Sequence, residues 1–534
     1  MEEKSLGRSF LILSVAGILV KILSAAYVPV LKAIIGDDAI GIYQASYTYF
    51  VFILAITSLG AQPAVTKVVS ELRAMGHHKD ALRAMKIARK YLIIIGGAIT
   101  VIFILIAKPL AKATDWERAS LSLIFLAPTI LFSCILAAYR GYLQGIEDMK
   151  NLAVSQVIEQ IANIVISLVF AFLLIKVSIE WGSAGGTVGT TVGAIIAVVY
   201  IIYIYNKYDY EDEAIENDNS DKQLSDKKIL KKLIAYGLPI ILVAGMQNAS
   251  SLVDAIVVKG KLLDSGFTES EASIRYAVLG FYNTLLYVPL AIVTALSSAV
   301  FPKIIQAFTS RNRKELKVQI AYTYKLTYLI TIPSAFGLAI LSKEIYIMIF
   351  GSTNGYNLLM YGSVVLILMS ITTIQNTILQ GINKLYLVLT TAFIGVVIKL
   401  VIESLLVGIK EINILGAVIA TFFTFLIPAI INQNRLRRIF RIKIPVIRLA
   451  IIPFISSCVM GIVIYSIRMP LNRLINIFEG GRLSITFMVL FLVAIGGIVY
   501  LLISIFLGGI TKKDLDGFSP KLFTLLPRFL RKRM

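Results

Sequence analysis

The sequence predicts an all-α polytopic membrane protein with 14 transmembrane helices, in two pseudo-symmetric six-helix lobes plus two C-terminal helices. The first observation is composition: 57% of the 534 residues are hydrophobic and only 16% are charged, and the mean hydropathy is +0.83. The second is spacing, because apolar stretches recur at about 20 residues or longer, which is the length that crosses a hydrocarbon core of about 30 Å. The third is an internal repeat between the two halves of the chain.

The apolar stretches are separated by short polar segments, and each stretch predicts one membrane-spanning helix. An even number of spans places both termini on the same side of the membrane. The predicted spans cover residues 10–34, 42–66, 89–108, 119–142, 153–175, 183–204, 232–257, 277–302, 322–341, 356–380, 385–408, 413–434, 447–466 and 484–508. The charged N-terminus resembles a signal peptide, but its apolar run continues past Lys21, which predicts an uncleaved first span.

The distribution of basic residues predicts the orientation. Of the 52 Lys and Arg residues, 37 lie in the N-terminus, the C-terminus and the loops on the same side as the termini. Since cytoplasmic loops carry the excess of Lys and Arg, both termini are predicted to be cytoplasmic. Trp116 and Trp181 then fall near the outer interface, which predicts an aromatic belt there.

The segment between the sixth and seventh spans is the most polar in the chain and contains "YEDEAIENDNSDKQLSDKK". Its acids and lysines are mixed, which predicts a hydrated linker. The predicted organisation is therefore an N-lobe over residues 1–205, a cytoplasmic linker over 206–231, a C-lobe over 232–440, and two further spans with a basic cytoplasmic tail over 441–534.

The internal repeat matches residues 143–170 to residues 379–406 without gaps, at an offset of 236, and begins with Leu-Gln-Gly-Ile in both copies. The copies start at the ends of spans 4 and 10, and both spans run from outside to inside, so the repeat is parallel. Parallel repeats predict a pseudo-twofold axis along the membrane normal, with a substrate path at the interface of the halves. This arrangement is typical of transporters.

Composition and motifs also argue against several classes of protein. Cys134 and Cys458 both lie in apolar spans, which argues against a disulfide framework. The neighbouring His77 and His78 belong to no cluster with metal-ligand spacing. The net charge of +21 reflects topology, so no nucleic-acid partner is expected. No Walker A sequence is present, and neither enzyme activity nor a cofactor is expected.

Ionisable residues inside a span are costly and face a cavity or one another. Lys21 lies near the middle of span 1, where the alternatives are a cavity role and a snorkelling lysine. Lys399 in span 11 precedes Glu403 by one helical turn, so either the two form a self-contained i,i+4 pair or they contact substrate or ion.

Two further acids lie within predicted spans. Glu159 is in span 5, and Asp254 in span 7 follows Gln247 on a polar stripe. For both acids, structural pairing and proton or cation coupling stay open. Arg140 and Gln144, one turn apart at the cytoplasmic end of span 4, predict either an ordinary polar helix end or part of an inner gate.

The stretch "RGYLQGIEDMKNLAVSQVIEQ" (140–160) resembles the YtgP and stage V sporulation protein B branch of the polysaccharide-transporter proteins. These are relatives of the MurJ lipid II flippases in the MOP flippase superfamily. The stretches "IGDDAIGIYQASYTYF", "AQPAVTKVVSELRAMG" and "SSAVFPKIIQAF" agree with the same resemblance, which covers nearly the whole chain.

The resemblance implies two six-helix lobes around a cavity and a substrate that is an undecaprenyl-linked sugar, moved from the inner to the outer leaflet by alternating access. A pyrophosphate head with many hydroxyls needs cations, amides and hydroxyls around it. The substrate-binding candidates are Lys21, Tyr27, Gln44, Arg140, Gln144, Gln247 and Lys399. The ion-coupling candidates are Glu159, Asp254 and Glu403.

The chain departs from the family pattern in its arginines. Many relatives carry Tyr-Arg-x-Pro late in span 1, where this chain reads Tyr27-Val28-Pro29, and relatives often place an arginine at the position of Asn163. Lys21 is the match to a cavity arginine, but lysine is a point charge and lacks the bidentate fork of arginine. Two interpretations stay open: a substrate other than lipid II, or binding by other groups.

The expected function is therefore transport of a lipid-linked oligosaccharide, such as a peptidoglycan precursor, across a bacterial plasma membrane. Alternatives are a MATE-type multidrug antiporter coupled to a cation, and a non-transporting scaffold for a cell-wall synthesis complex. The expected partners are the lipid-linked sugar, membrane lipids and, for a wall precursor, cell-wall synthesis proteins. A monomer is expected, and coupling to Na⁺ or H⁺ is compatible with each transport interpretation.

Overall fold

The computed structural model describes residues 2–218, 220, 223–442, 444–477 and 481–511. The side chains of residues 2–15, 18, 21, 298, 299 and 476 lie outside that description. Within it the secondary structure is helical throughout. Eleven helices are long and apolar enough to cross a membrane, and the number rises to 13 when two bent helix pairs are each counted as one span.

The α-helices of the first half of the chain include every predicted span from 1 to 7. They are α1 (Glu2–Leu54), α2 (Ala61–Ala74), α3 (His78–Ala113), α4 (Ser120–Gly145), α5 (Met149–Leu174), α6 (Ile179–Lys207), α7 (Tyr210–Glu216) and α8 (Asp226–Asp264). A five-residue π-helix, Ala55–Leu59, joins α1 to α2.

The remaining helices correspond to spans 8 to 14. They are α9 (Glu269–Thr309), α10 (Arg313–Ile340), α11 (Ser342–Phe350), α12 (Tyr356–Gly362), α13 (Val365–Gly381), α14 (Leu385–Leu406), α15 (Leu415–Phe440), α16 (Val446–Ile477) and α17 (Arg482–Phe506). Agreement with the predicted spans is close, for example α14 against residues 385–408.

The first helical element contains two predicted spans. Ile22–Ala74 is a continuous stretch of 53 residues, and at 1.5 Å per residue it is about 80 Å long, far more than one bilayer crossing needs. Gly36 divides it, with a φ of 81° that ends one helix and begins the next. Glycine adopts this conformation without steric cost. With the element divided there, the number of spans is compatible with the 14 predicted.

Two predicted spans are bent rather than straight. The axes of α10 and α11 meet at 81°, and those of α12 and α13 at 56°. The break between α10 and α11 contains only Leu341, so no glycine or proline marks it in the sequence. Hydropathy reports the apolar length of such a segment but carries no information on its direction.

The helices form two compact units. The first comprises Met1–Gly280 and Leu385–Ala420, and the second Phe281–Lys384 and Thr421–Met534, as far as these ranges are described. In the first unit α8 and α14 pack together and α8 also packs on α2. The predicted N-lobe (1–205), linker (206–231), C-lobe (232–440) and C-terminal segment (441–534) were defined by a different criterion, the predicted spans and the internal repeat. That division stays a prediction.

The repeat is visible in how corresponding glycines pack. A Cβ on Gly145 in α4 would lie 2.6 Å from Val69 Cγ1 in α2. In the second unit, a Cβ on Gly381 in α13 would lie 2.6 Å from Ile305 Cδ1 in α9. Val69 and Ile305 are separated by the same 236 positions as the two glycines. The conserved offset shows that the Leu-Gln-Gly-Ile motif places a glycine at equivalent close helix contacts.

A related pair of glycine contacts lies at the other end of the repeated segment. A Cβ on Gly185 in α6 would lie 2.6 Å from the Phe170 carbonyl oxygen of α5, and one on Gly416 in α15 would lie 2.8 Å from Leu406 Cβ of α14. Phe170 and Leu406 differ by 236 positions but the two glycines by 231, so the offset is not kept beyond the matched segment. In α6 the close contacts continue at Gly189 and Gly193, so the predicted small-residue packing face of span 6 is present.

We expect Gly145→Ala and Gly381→Ala each to destabilise the protein by about 1–3 kcal/mol, because the added methyl group overpacks a filled contact. Thermal unfolding of the purified protein in detergent measures the change. Gly97→Ala is the matched control, since its Cβ would meet no atom within 4 Å. An unchanged melting temperature in both test variants would contradict the packing described.

The linker is more ordered than its composition suggests. The hydroxyl of Tyr210 in α7 donates to Asp148 Oδ2 at 2.5 Å, and the Leu224 backbone N–H donates to the buried Asp80 at 2.8 Å. Lys86 Nζ lies 2.7 Å from Glu211 Oε1, and this hydrogen bond lowers the pKa of the Glu211 carboxyl. The mixed charges that predicted hydration are partly used to attach the linker to α3 and to the N-terminus of α5.

Candidate functional site

A cluster of charged side chains lies buried between α8 and α14 in the first unit. Lys399 is 2% exposed, Asp254 5% and Glu403 0%. Lys399 Nζ lies 2.7 Å from Asp254 Oδ2 and donates to Ser250 Oγ at 3.2 Å. The buried charge cluster, as we name Ser250, Asp254, Lys399 and Glu403, contains two ion-coupling candidates and one substrate-binding candidate.

Helical spacing explains why these four residues meet. Ser250 and Asp254 are one turn apart on α8, and Lys399 and Glu403 are one turn apart on α14. Residues at i and i+4 share a helix face, and the packing of α8 on α14 brings the two faces together. The sequence left open a self-contained pair within α14, whereas the structure extends Lys399 across to Asp254 on the other helix.

The buried charge cluster is not electrically balanced when all three groups are ionised, since it has one ammonium and two carboxylates. Glu403 lies near Asp254, and neither of its carboxylate oxygens has a hydrogen-bond partner among the described residues. Asp254 Oδ1 is likewise without a donor among them. Two facing carboxylates in a low-dielectric interior are stabilised by one shared proton or one additional cation.

A second polar site connects α4 to its neighbours. Arg140 Nη2 lies 2.7 Å from Glu159 Oε2 on α5, and Arg140 Nε donates to Ser155 Oγ at 2.9 Å. Gln144 turns the other way, and its Oε1 accepts from Gln62 Nε2 of α2 at 3.1 Å. Arg140 and Gln144 therefore join three helices of the first unit in this conformation, and Glu159 has a charge partner.

The other predicted site residues have different surroundings. Tyr27 is buried and its hydroxyl donates to the Gly186 carbonyl at 2.7 Å. Gln44 packs so tightly on Gly280 that a Cβ there would lie 1.8 Å from Gln44 Oε1. Gln247 is exposed. The side chain of Lys21 lies outside the described residues.

A fully buried lysine in α8 was not singled out from the sequence. Lys259 Nζ lies 3.0 Å from Glu269 Oε1 and 4.4 Å from the centroid of the Trp116 ring. Trp116 is 0% exposed and packs inside the protein, whereas Trp181 is 39% exposed. Their place near the outer interface stays a prediction. In the sequence Lys259 lies in a predicted polar loop, and a lysine in such a loop does not indicate a buried side chain.

The second unit contains a buried amide network that the sequence also did not indicate. The Tyr324 hydroxyl donates to Gln433 Oε1 at 2.9 Å, and Gln375 Nε2 donates to the Ala429 carbonyl at 3.1 Å. Beside it, Asn432 Nδ2 donates to Asn376 Oδ1 at 3.2 Å. Asn376 occupies the position equivalent to Arg140 in the repeat, so both copies use this position for a polar contact between helices.

Comparisons with known proteins agree with the fold. A family model described as Polysaccharide biosynthesis protein matches residues 6–308. The chain is 27% identical over 547 residues to the lipid II flippase MurJ of Bacillus subtilis (strain 168), covering 98% of this chain and 99% of that protein. It is 22% identical over 448 residues to stage V sporulation protein B of the same organism, covering 84% and 86%.

Solved structures share the fold as well. Lipid II flippase MurJ in an inward closed conformation matches with a TM-score of 0.68 at 17% identity, covering 93% of this chain and 98% of that chain. An inward-facing multidrug resistance transporter of the MATE family matches with a TM-score of 0.66 at 16% identity, covering 80% and 98%. The predicted fold class is confirmed, and so is the resemblance to stage V sporulation protein B and MurJ among the polysaccharide-transporter proteins.

Proposed function

The chain belongs to the polysaccharide biosynthesis protein family, and from this premise we propose that it is a flippase for an undecaprenyl-linked oligosaccharide. It would act in a bacterial plasma membrane by alternating access, with both termini in the cytoplasm. Lipid II or a related peptidoglycan precursor is the proposed substrate. The observation that carries the proposal is the end-to-end sequence match to a lipid II flippase, which covers 98% of this chain.

The buried charge cluster supports an ion-coupled form of this transport. With both carboxylates ionised, Lys399 is engaged by Asp254, and its ammonium is unavailable to a phosphate. One proton shared by Asp254 and Glu403 would neutralise the cluster, and a second would leave the Lys399 ammonium as its one charge, available to the anionic head of the substrate. We propose that these two acids carry the coupling protons. Glu159 is assigned a structural role, because Arg140 already balances its charge.

The remaining substrate-binding candidates divide into two groups. Lys21 and Gln247 are proposed to contact the head group directly. Tyr27, Gln44, Arg140 and Gln144 are engaged in helix contacts in this conformation, and we assign them to positioning the helices around the substrate path. The head group would cross while the undecaprenyl chain stays in lipid.

A MATE-type antiporter is the second candidate function. The fold match to a transporter of that family favours it, and the acids of the buried charge cluster would serve as its coupling site. The match covers 80% of this chain, whereas MurJ matches over the whole length in sequence, so we rank the flippase first. The scaffold interpretation does not explain why charged groups are buried inside the spans.

Rescue of cells depleted of their lipid II flippase tests the proposed function. We expect expression of the chain to restore growth, and proteoliposomes containing the purified protein to move a fluorescent undecaprenyl-pyrophosphate glycan between leaflets. Lipid scrambling without the protein gives the background. No rescue together with increased drug resistance on overexpression would favour the antiporter, and neither effect would favour the scaffold.

A further inference from the structure

Two segments of the second unit concentrate basic residues on the side of the chain that is predicted to be cytoplasmic. Residues 308–318 connect α9 to α10, and residues 435–448 run from the end of α15 into α16. Their basic residues are Arg311, Arg313, Lys314, Lys317, Arg435, Arg437, Arg438, Arg441, Lys443 and Arg448, against a single acid, Glu315. We name these basic residues, apart from Lys443, which lies outside the described part of the chain, the basic face.

The two segments are neighbours in the fold. The ring of Phe308, near the end of α9, meets the ring of Phe440 of α15 edge-on, with 5.6 Å between their centroids. Ala307 and Leu436 beside them are buried, at 4% and 2% exposed. The apolar side chains of the two helix ends thus pack inward, and the basic side chains of both segments are left on one surface of the second unit.

The basic face has no counter-charge of its own. Each of its side chains is exposed, and none forms an ion pair with another residue in the described part of the chain. Glu315 is engaged elsewhere, because its Oε1 accepts a hydrogen bond from Gln319 Nε2 at 2.5 Å. Like charges gathered on one surface repel one another, so an anion bound there would relieve the repulsion.

The first unit treats its basic residues differently. Lys79 Nζ lies 3.8 Å from Asp218 Oδ2, and Lys86 Nζ lies 2.7 Å from Glu211 Oε1. Both acids belong to the linker that follows α6. The corresponding connection after α15 is short, and it contributes Arg441 and Lys443 in place of acids. The chain therefore supplies an internal counter-charge to the first unit but not to the basic face of the second.

The basic face begins where the lipid-facing surface of the spans begins. On α16, Ile447 is 84% exposed, Ile451 48% and Phe454 51%, and their spacing of four and three residues places them on one face of the helix. Arg448 directly follows Ile447. On α15, Ile430 is 53% exposed and lies two turns before Arg437 on the same face. This arrangement places the arginines at the level of lipid head groups.

We propose that the basic face binds the phosphate head groups of anionic phospholipids in the leaflet on the side of the termini. The planar fork of arginine matches a phosphate group, and a basic cluster of this size next to a span is the pattern that recognises anionic lipids. The exposed apolar residues beside Arg448 favour a lipid over a soluble acidic protein, since acyl chains cover them. The proposal concerns binding alone and does not depend on what the protein transports.

Lipid binding to the purified protein in nonionic detergent tests the proposal. Phosphatidylglycerol is titrated, with phosphatidylcholine as the zwitterionic reference, and native mass spectrometry counts the bound molecules. We expect a preference for phosphatidylglycerol that weakens as salt is added. The variant Arg437→Gln, Arg438→Gln, Arg448→Gln should bind phosphatidylglycerol about a hundredfold more weakly, since each basic residue near an anionic surface contributes about fivefold.

The matched control is the variant Lys108→Gln, Lys112→Gln, Arg473→Gln. It removes three exposed basic residues that lie outside the basic face, near span ends on the opposite predicted side. Its affinity for phosphatidylglycerol should equal that of the native protein. Both variants should keep the native melting temperature, because all six side chains are exposed and lack ion pairs with described residues. Equal binding of the two lipids by the native protein, or native affinity in the arginine variant, would overturn the proposal.

Two further probes distinguish other anionic occupants. One is a fluorescent undecaprenyl-pyrophosphate glycan, and the other is a soluble polyglutamate peptide. We expect phosphatidylglycerol to bind the native protein in the presence of either probe, and the peptide not to bind at physiological salt. If the arginine variant lost affinity for the glycan lipid but not for phosphatidylglycerol, the basic face would belong to the transported class of lipid. If the peptide bound and phosphatidylglycerol did not, the basic face would be a protein-docking surface. Either result contradicts the phospholipid assignment.

Discussion

Lys399→Met is expected to be among the most damaging single substitutions in the chain. It leaves Asp254 buried without the ammonium that lies 2.7 Å away, and removing one partner of a buried ion pair costs about 3–5 kcal/mol. Asp254→Asn should cost less, because Lys399 would still have the Glu403 carboxylate one turn away on α14 to balance its charge. Thermal unfolding in detergent and the amount of protein recovered from membranes measure both effects.

The double variant Asp254→Asn with Lys399→Met separates stability from function. With neither of these charges present, Glu403 is the last ionisable group of the cluster and stays neutral as an isolated buried carboxyl group, so we expect the melting temperature to recover most of the loss. Transport should stay absent, because the proposed cation for the phosphate is gone. Lys399→Arg is the control that preserves the charge. Transport by the double variant at the native rate would exclude Lys399 from substrate binding.

The fold was largely predictable because hydrocarbon imposes a simple rule on each span. Apolar length alone located segments such as α14 and α17, since every backbone polar group in lipid must be satisfied within a helix. The bend of 81° at Leu341 was not predictable. It depends on how the helices pack, and its residues are as apolar as those of a straight span.

The candidate site was predictable residue by residue but not as an arrangement. Asp254 and Lys399 were singled out because charged groups are rare in apolar spans. Their contact joins helices 145 positions apart in sequence, and no local pattern reports it. The burial of Lys259 and Trp116 was not predicted for the opposite reason: a lysine in a polar loop and a tryptophan at a span end both match common surface patterns.

Glu403→Gln is expected to uncouple transport from the proton gradient while leaving the fold intact. The glutamine has the shape of the protonated acid. It also removes one of two facing carboxylates, which have no hydrogen-bond donor between them. The stability of the variant should therefore equal or exceed that of the native protein. In proteoliposomes, an imposed proton gradient should accelerate native transport and have no effect on the variant.

Glu411→Gln makes the same chemical change at an exposed residue of the loop after α14 and should keep the full response to the gradient. A sodium gradient at constant pH distinguishes the other coupling ion. If sodium accelerates native transport and protons do not, the buried charge cluster binds a cation in place of the shared proton. If Glu403→Gln responds to protons as the native protein does, the coupling site lies elsewhere. Glu403→Gln therefore tests the proton assignment at a side chain whose replacement costs the fold little, separately from the structural role of the Lys399–Asp254 pair.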